Sequence, residues 1–392
     1  MKKSLYESVE READEILSMS DFIFDHPELA FEEREALRVL TAFLEREGFA
    51  VERGLGSLPT AFRATYSHGV GGPAIGLLCE YDALEGLGHA CGHHMQGPAV
   101  LAAAKAVKDL RLDEPFRLVV YGTPAEESGG GKIRLLDEKF MADIDLALMM
   151  HGGPATQTDV KSLAAATVDV TFHGKSAHAA LRPETGRSAL DALLLTFHAV
   201  EFLREHVPED ARMHYTVLDA GGPVNVVPAR AVGTFSLRSY DSCHLDDIMR
   251  RFEKIVQGAA LMTETVGTLE IKKRLEAKVP VASLNELLMR NAEQSGAPCI
   301  RPPRERTGST DFGNVMRQIP GSCIRVAFVD EGVASHSEGY LKEGKTKRGH
   351  AAVLSAAKIL AGTVYDLIVE PTLRATILEE FAAKARKPSS LA

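Results

Sequence analysis

Apolar residues in this chain recur at two different spacings, and the change between them outlines its architecture. Near the start Ala36, Leu37, Leu40, Phe43 and Leu44 return every three or four positions, as on a helix with one buried face. Short unbroken apolar runs follow at 74–79, 116–121 and 145–150, each the length of a buried strand. Helical stretches at 99–110 and 132–139 lie between them. Strand alternating with helix predicts an α/β layer around a mostly parallel sheet.

The middle of the chain has another rhythm. A strand at 167–172 precedes a helix at 188–204, where Leu190, Leu193, Leu194, Phe197 and Val200 share one side. Strands at 214–218 and 231–237 are joined by the turn-rich GGPVNVVPAR, and a helix at 245–262 leads to a strand at 268–274. The order β-α-β-β-α-β is a ferredoxin-like, α+β pattern. The α/β rhythm then resumes with a helix at 284–294, a strand at 323–329 and a helix at 346–368. The expectation is an α/β domain in two parts, 1–163 and 278–392, interrupted by a smaller domain at 164–277.

Composition narrows the partners. The 392 residues hold 45 basic and 54 acidic side chains, a net charge of −9, with no long basic run. That balance argues against nucleic acid. Glu7, Glu10, Arg11, Glu12 and Asp14 break any apolar core in a leader peptide, and no run of about 18 apolar residues predicts a membrane span. Five scattered cysteines without a CxxC suit a reducing compartment, so a cytoplasmic protein is expected.

Sites in open α/β sheets lie beyond the carboxyl ends of the strands. After the run ending at Cys79 comes EYDALEGLGHACGHH, with Asp82, His89, Cys91, His93 and His94. After 116–121 comes the pair Glu126–Glu127, after 145–150 comes His151, and after 323–329 comes His336. Taken singly, each has a plain structural reading: a small buried thiol, a solvated acidic pair, ordinary histidines. Their coincidence at four strand ends points to metal. Alternate residues of an extended segment face the same way, so Cys91 and His93 can meet one ion. Thiolate with imidazole favours Zn, Mn, Co or Ni over Mg or Ca. Five candidate ligands exceed the needs of one tetrahedral ion and suggest two. A carboxylate that does not ligate can take a proton from the metal's water and return it to a leaving amine.

The motifs HPELAFEE, EYDALEGLGHACGH, GTPAEE, FHGKSAHAALRPETGRSALDAL, GGPVNVVP, STDFGN and HSEGY occur in this order over nearly the whole chain. The sequence thereby resembles the aminoacylase and carboxypeptidase-G-type metallopeptidases. EYDAL and STDFGN make it similar to the branch of aminobenzoyl-glutamate hydrolases and β-alanyl dipeptidases. The resemblance implies a mixed-sheet catalytic domain carrying an inserted lid and dimerisation domain, hence a homodimer. It implies that Cys91, His93, Glu127, His151 and His336 hold two divalent metal ions, Mn or Zn, with Co or Ni as alternatives. Glu126 would be the general base and Asp82 an orienting carboxylate. In the inserted domain His178 would help polarise the scissile carbonyl, Asn225 would contact the substrate, and Arg238 would meet a substrate carboxylate. The implied reaction is hydrolysis of an N-acyl amino acid, aryl-amide or dipeptide.

Two positions depart from the family pattern. His94 stands where Asp or Asn usually follows CGH, and Glu85 replaces the proline usual after DAL. Both sit beside the expected metals, so His94 is a candidate for the substrate pocket. They leave open an aminohydrolase that releases ammonia from an aromatic amine. A catalytically silent binding homologue is the other alternative, against which the complete ligand set argues.

Overall fold

A computed structural model of the chain describes residues 1–305 and 307–385. The strands among them are β1 (Ala50–Leu55), β2 (Leu58–His68), β3 (Ala74–Cys79), β4 (Phe116–Gly122), β5 (Leu146–Gly153), β6 (Gln157–Thr158), β7 (Ala164–His173), β8 (Arg212–Asp219), β9 (Arg230–Ser239), β10 (Val266–Leu275) and β11 (Gly321–Ala327). The chain divides into two compact units, one of Met1–Lys161 with the segment from Lys278 onward, the other of Ser162–Ala277.

In the first unit seven strands lie in the order β1-β2-β4-β3-β5-β11-β6. The inner four are parallel, while β1, β2 and β6 join antiparallel at the edges. Helices cover both faces. On one side Ile75, Leu77 and Leu148 pack with Val100, Leu360 and Val364; on the other Leu78 and Ala147 pack with Leu135, Phe312 and Met316. A strand covered on both faces has no solvent side, so β3 is buried at all six positions and reads as one apolar run. The antiparallel pair β1–β2 is an addition to the sequence reading. Arg53 and Arg63 break its apolar pattern by pairing with Glu45 and Glu52 at the surface.

One helix corrects the expectation about membrane spans. Lys347–Val369 is long and apolar enough to cross a bilayer (mean hydropathy 1.6), yet 72% of its apolar window is buried inside the protein. It is a core helix, started by Thr346, whose hydroxyl accepts from Gly349 N.

The second unit is an antiparallel sheet in the order β10-β7-β9-β8. Its two helices, Ala189–Leu203 and Ser242–Thr263, bury Leu193, Val200, Ile248 and Phe252 with Val168, Val170 and Phe235 of the sheet. Chain order and strand order together make this unit ferredoxin-like.

Candidate metal centre

Four parallel strands end at one edge of the first unit's sheet, and each is followed by a turn that the sequence shapes locally. Beyond β3, Gly92 adopts φ +86°, and a Cβ there would lie 2.9 Å from Met95 Cε. The left-handed turn at this glycine lies between the Cys91 and His93 side chains. Beyond β4, Ala125 also has a positive φ, 60°, unusual for a residue with a Cβ. Glu33 holds it: its carboxylate accepts from Ala125 N at 2.9 Å and from Thr60 Oγ1 at 2.8 Å. Beyond β11, His336 takes φ 59°, tied by its N–H to Ala90 O at 3.1 Å.

His151 differs from expectation in its element. It lies within β5, which runs on through Gly152 and Gly153 beside Val326 and Ala327. A Cβ on Gly152 would meet Met95 and Phe328 at 2.6 Å, so only glycine lets the strand continue there.

The structure brings six expected residues together. Cys91 Sγ is 3.6 Å from His151 Nε2, and Glu127 Oε1 is 3.2 Å from His336 Nε2 and 4.0 Å from His93 Nε2. The sets Cys91–His93–His151, Cys91–Glu127–His336 and His93–Glu126–Glu127 each offer ligand atoms within 4.8 Å of one another. Asp82 stands behind them. Its carboxylate faces His93 Nδ1 at 3.2 Å through Oδ1 and accepts from Glu127 N at 3.0 Å through Oδ2. One buried carboxylate therefore orients an imidazole and the Glu126–Glu127 segment at once.

A cation fits this donor set. His93 Nε2 is fully buried and has no hydrogen-bond partner among the described residues. Burial pushes the Cys91 thiol up to about 12, and a divalent ion is the agent that deprotonates such a thiol. Burial pushes His151 down to about 3, with Arg325 adding to the effect, so its ring is neutral and able to ligate. Burial also raises Glu126 to about 8, reinforced by Glu80 and Asp311. A cation beside Glu126 would favour its ionised form.

Sequence reasoning missed three buried charges next to the cluster. Lys132 Nζ, wholly buried, bridges Glu80 at 2.5 Å and Asp311 at 2.7 Å. Against the cost of burial, Lys132, His93 and His151 hold the Glu80 carboxyl well below the usual carboxylate range. Gln96 locks Glu80 further, donating to Oε2 at 2.7 Å. Lys132 and Asp311 lie in the GGGK and STDFGN stretches, where a charge among small residues was the available signal.

Other expected residues lie elsewhere. The His94 ring packs edge-on against Phe24 at 4.9 Å and shares a hydrogen bond with Gly344 O at 3.1 Å, fully buried beneath the helices. It is absent from the cavity wall, and burial pushes it down to about 4. His89 sits beside it, ring to ring at 5.4 Å. Glu85 is exposed on the turn closed by the Leu84–Gly88 bridge. Both departures from the family pattern thus point away from the cluster, which removes the observations behind the aminohydrolase alternative. In the second unit His178 and Asn225 sit on paired loops: Ala179 N donates to Asn225 O at 2.9 Å, and His178 bridges Val226. Both side chains are exposed, while Arg238 lies on β9 with its Nε on Ser236 Oγ.

The cluster opens into a cavity of about 450 Å³, lined among others by Glu80, Cys91, Glu126, Glu127, His151 and His336. An α/β sheet with thiol, imidazole and carboxylate donors at its carboxyl edge defines a metallohydrolase. The model of peptidase family M20/M25/M40 matches residues 76–359, and the chain belongs to this family. It is 33% identical to human Xaa-Arg dipeptidase, covering 97% of this chain and 92% of the relative. It is 31% identical to one of the two kinds of chain in the p-aminobenzoyl-glutamate hydrolase of Escherichia coli K12, covering 94% and 92%. A dinuclear metal-binding M20 peptidase of Bacillus subtilis has the same fold, with TM-score 0.71, 17% identity and 92% and 100% of the two chains covered. The protein is a metal-dependent hydrolase of amide C–N bonds.

Proposed function

We propose that this enzyme cleaves a small N-acyl amino acid, aryl-amide or dipeptide at a dinuclear centre held by Cys91, His93, Glu127, His151 and His336. The observation that carries the reading is the convergence of three donor sets, each within 4.8 Å, on one cavity. Mn or Zn suits the mixed thiolate, imidazole and carboxylate donors, with Co or Ni as alternatives. When bound, the metals supply a water of near-neutral pKa and a polarised carbonyl.

The chain's own residues do the rest. Glu126, next to the ligand Glu127 and raised by its buried acidic neighbours, accepts the proton of the attacking water. It then delivers that proton to the departing amine nitrogen. Asp82 keeps His93 and the Glu126–Glu127 segment in register. His178 donates to the developing oxyanion, Asn225 contacts the substrate, and Arg238 meets a substrate carboxylate. The unit of Ser162–Ala277 serves as lid and as the surface of a homodimer. The free thiols of all five cysteines support a cytoplasmic setting.

The test is a substrate screen on protein reconstituted with Mn, Zn, Co or Ni, using N-acyl amino acids, β-alanyl dipeptides and aminobenzoyl-glutamate. Cys91→Ala should lose metal and turnover together. A Cys91→Ala protein that retained both would remove the thiolate from the centre.

A further inference from the structure

The wall of the cavity away from Glu126 and Glu127 is built from cations. Asp159 follows β6 and forms a bridge with Arg304. Its carboxylate takes Lys278 Nζ at 2.8 Å, Arg304 Nε at 3.2 Å and Arg325 Nε at 3.3 Å. The side chains of Asp159 and Lys278 are 2% and 4% exposed, and those of Arg325 and Arg304 are 17% and 34% exposed. Three cations thus share one carboxylate, leaving two positive charges in excess, and all three line the cavity. Arg325 Nη1 lies 3.2 Å from His151 Nδ1, so the cationic wall is one imidazole away from Cys91.

Partly buried charges of one sign are costly unless something compensates them. The crowding is evident in Arg304: burial, then Arg325, hold its guanidinium below the usual arginine range. Each arginine spends its Nε on Asp159, which leaves Nη donors for a ligand. Ser309 lines the same wall, and its buried hydroxyl has no hydrogen-bond partner among the described residues.

We infer that Arg304, Arg325 and Lys278 form an anion subsite that takes a carboxylate of the substrate, so that the enzyme prefers acidic amides to those with a cationic side chain. The inference deepens the amidase reading and rests on it. The two relatives carry names that diverge on this point, one specifying arginine and the other glutamate. The surplus of cations favours the acidic alternative, since a guanidinium in this cavity would meet like charge.

The experiment compares p-aminobenzoyl-glutamate, p-aminobenzoyl-glutamine and β-alanyl-arginine on metal-loaded protein, alongside calorimetric titration with glutarate. The glutamate amide should have the highest kcat/KM, by roughly tenfold or more over each of the others. Arg304→Gln should raise its KM about tenfold with kcat little changed, and weaken glutarate similarly. Arg304→Lys, which keeps the charge beside Asp159, should restore much of the glutarate binding. Amide hydrolysis with glutarate binding indifferent to Arg304→Gln would overturn the subsite and leave the amidase reading standing. Arg304-dependent glutarate binding without hydrolysis of any amide would do the reverse. Faster hydrolysis of β-alanyl-arginine than of the glutamate amide would also overturn the preference.

Discussion

Glu80, Glu126 and Glu127 line one end of the cavity, and Lys278, Arg304 and Arg325 line the other. The acidic end gathers its charge around a buried ammonium, Lys132, which pairs two carboxylates. The cationic end does the opposite, gathering three cations around Asp159. Each end holds a net charge that its own ion pairs leave uncancelled. The difference teaches what each end takes: cations among Cys91, His93 and Glu127, and an anion beside Arg304. The same low-dielectric walls that make such charge costly make it attract its complement strongly.

Lys132 offers the largest way to break this comparison. Lys132→Met would leave Glu80 and Asp311 buried without their counter-ion, at a cost of about 3–5 kcal/mol. Urea unfolding of the metal-free protein should read that loss, and a change below about 1 kcal/mol would mean the acidic end does not need its ammonium.

Glu33 gives a smaller, pH-dependent effect. Burial raises it from an ordinary 4.5 to about 7, so ionisation is disfavoured in the folded state. The stability tied to its protonated form is complete below about 4.5 and is lost as pH rises through about 7. Across that window the wild type should lose up to about 3 kcal/mol relative to Glu33→Gln. Parallel pH profiles for the two proteins would show that Glu33 stays ionised throughout.

Asp82 sharpens the metal end. Asp82→Asn keeps the shape but weakens the hold on His93 and on Glu127 N, and should cost roughly 10–100-fold in metal affinity. Competition with a chelating dye measures it, and unchanged affinity would reduce Asp82 to a packing role.

The fold was legible where burial is one-sided in kind. The fully covered β3 reads as an unbroken apolar run, and the amphipathic helices of the second unit show their spacing. The β1–β2 pair escaped because surface arginines interrupt its pattern. Cys91, His93, Glu126, Glu127, His151 and His336 were legible because metal chemistry restricts residue types and strand ends restrict position. Lys132, Asp311, Arg304 and Arg325 were not, because their meaning lies in partners 145 to 179 residues away, reached only through the fold. His94 shows the converse: adjacency in sequence to His93 placed it near the metals, whereas its ring turns under the helices to Phe24 and Gly344.

The central claim, that metals and Glu126 divide the chemistry of one cavity, is tested most directly by Glu126→Gln. Metal content by atomic emission and turnover of the best amide substrate should be measured on the same preparation. Metal should stay at the wild-type level while kcat falls by about 10²–10⁴-fold. Metal and activity lost in equal proportion would contradict the account and make Glu126 a ligand.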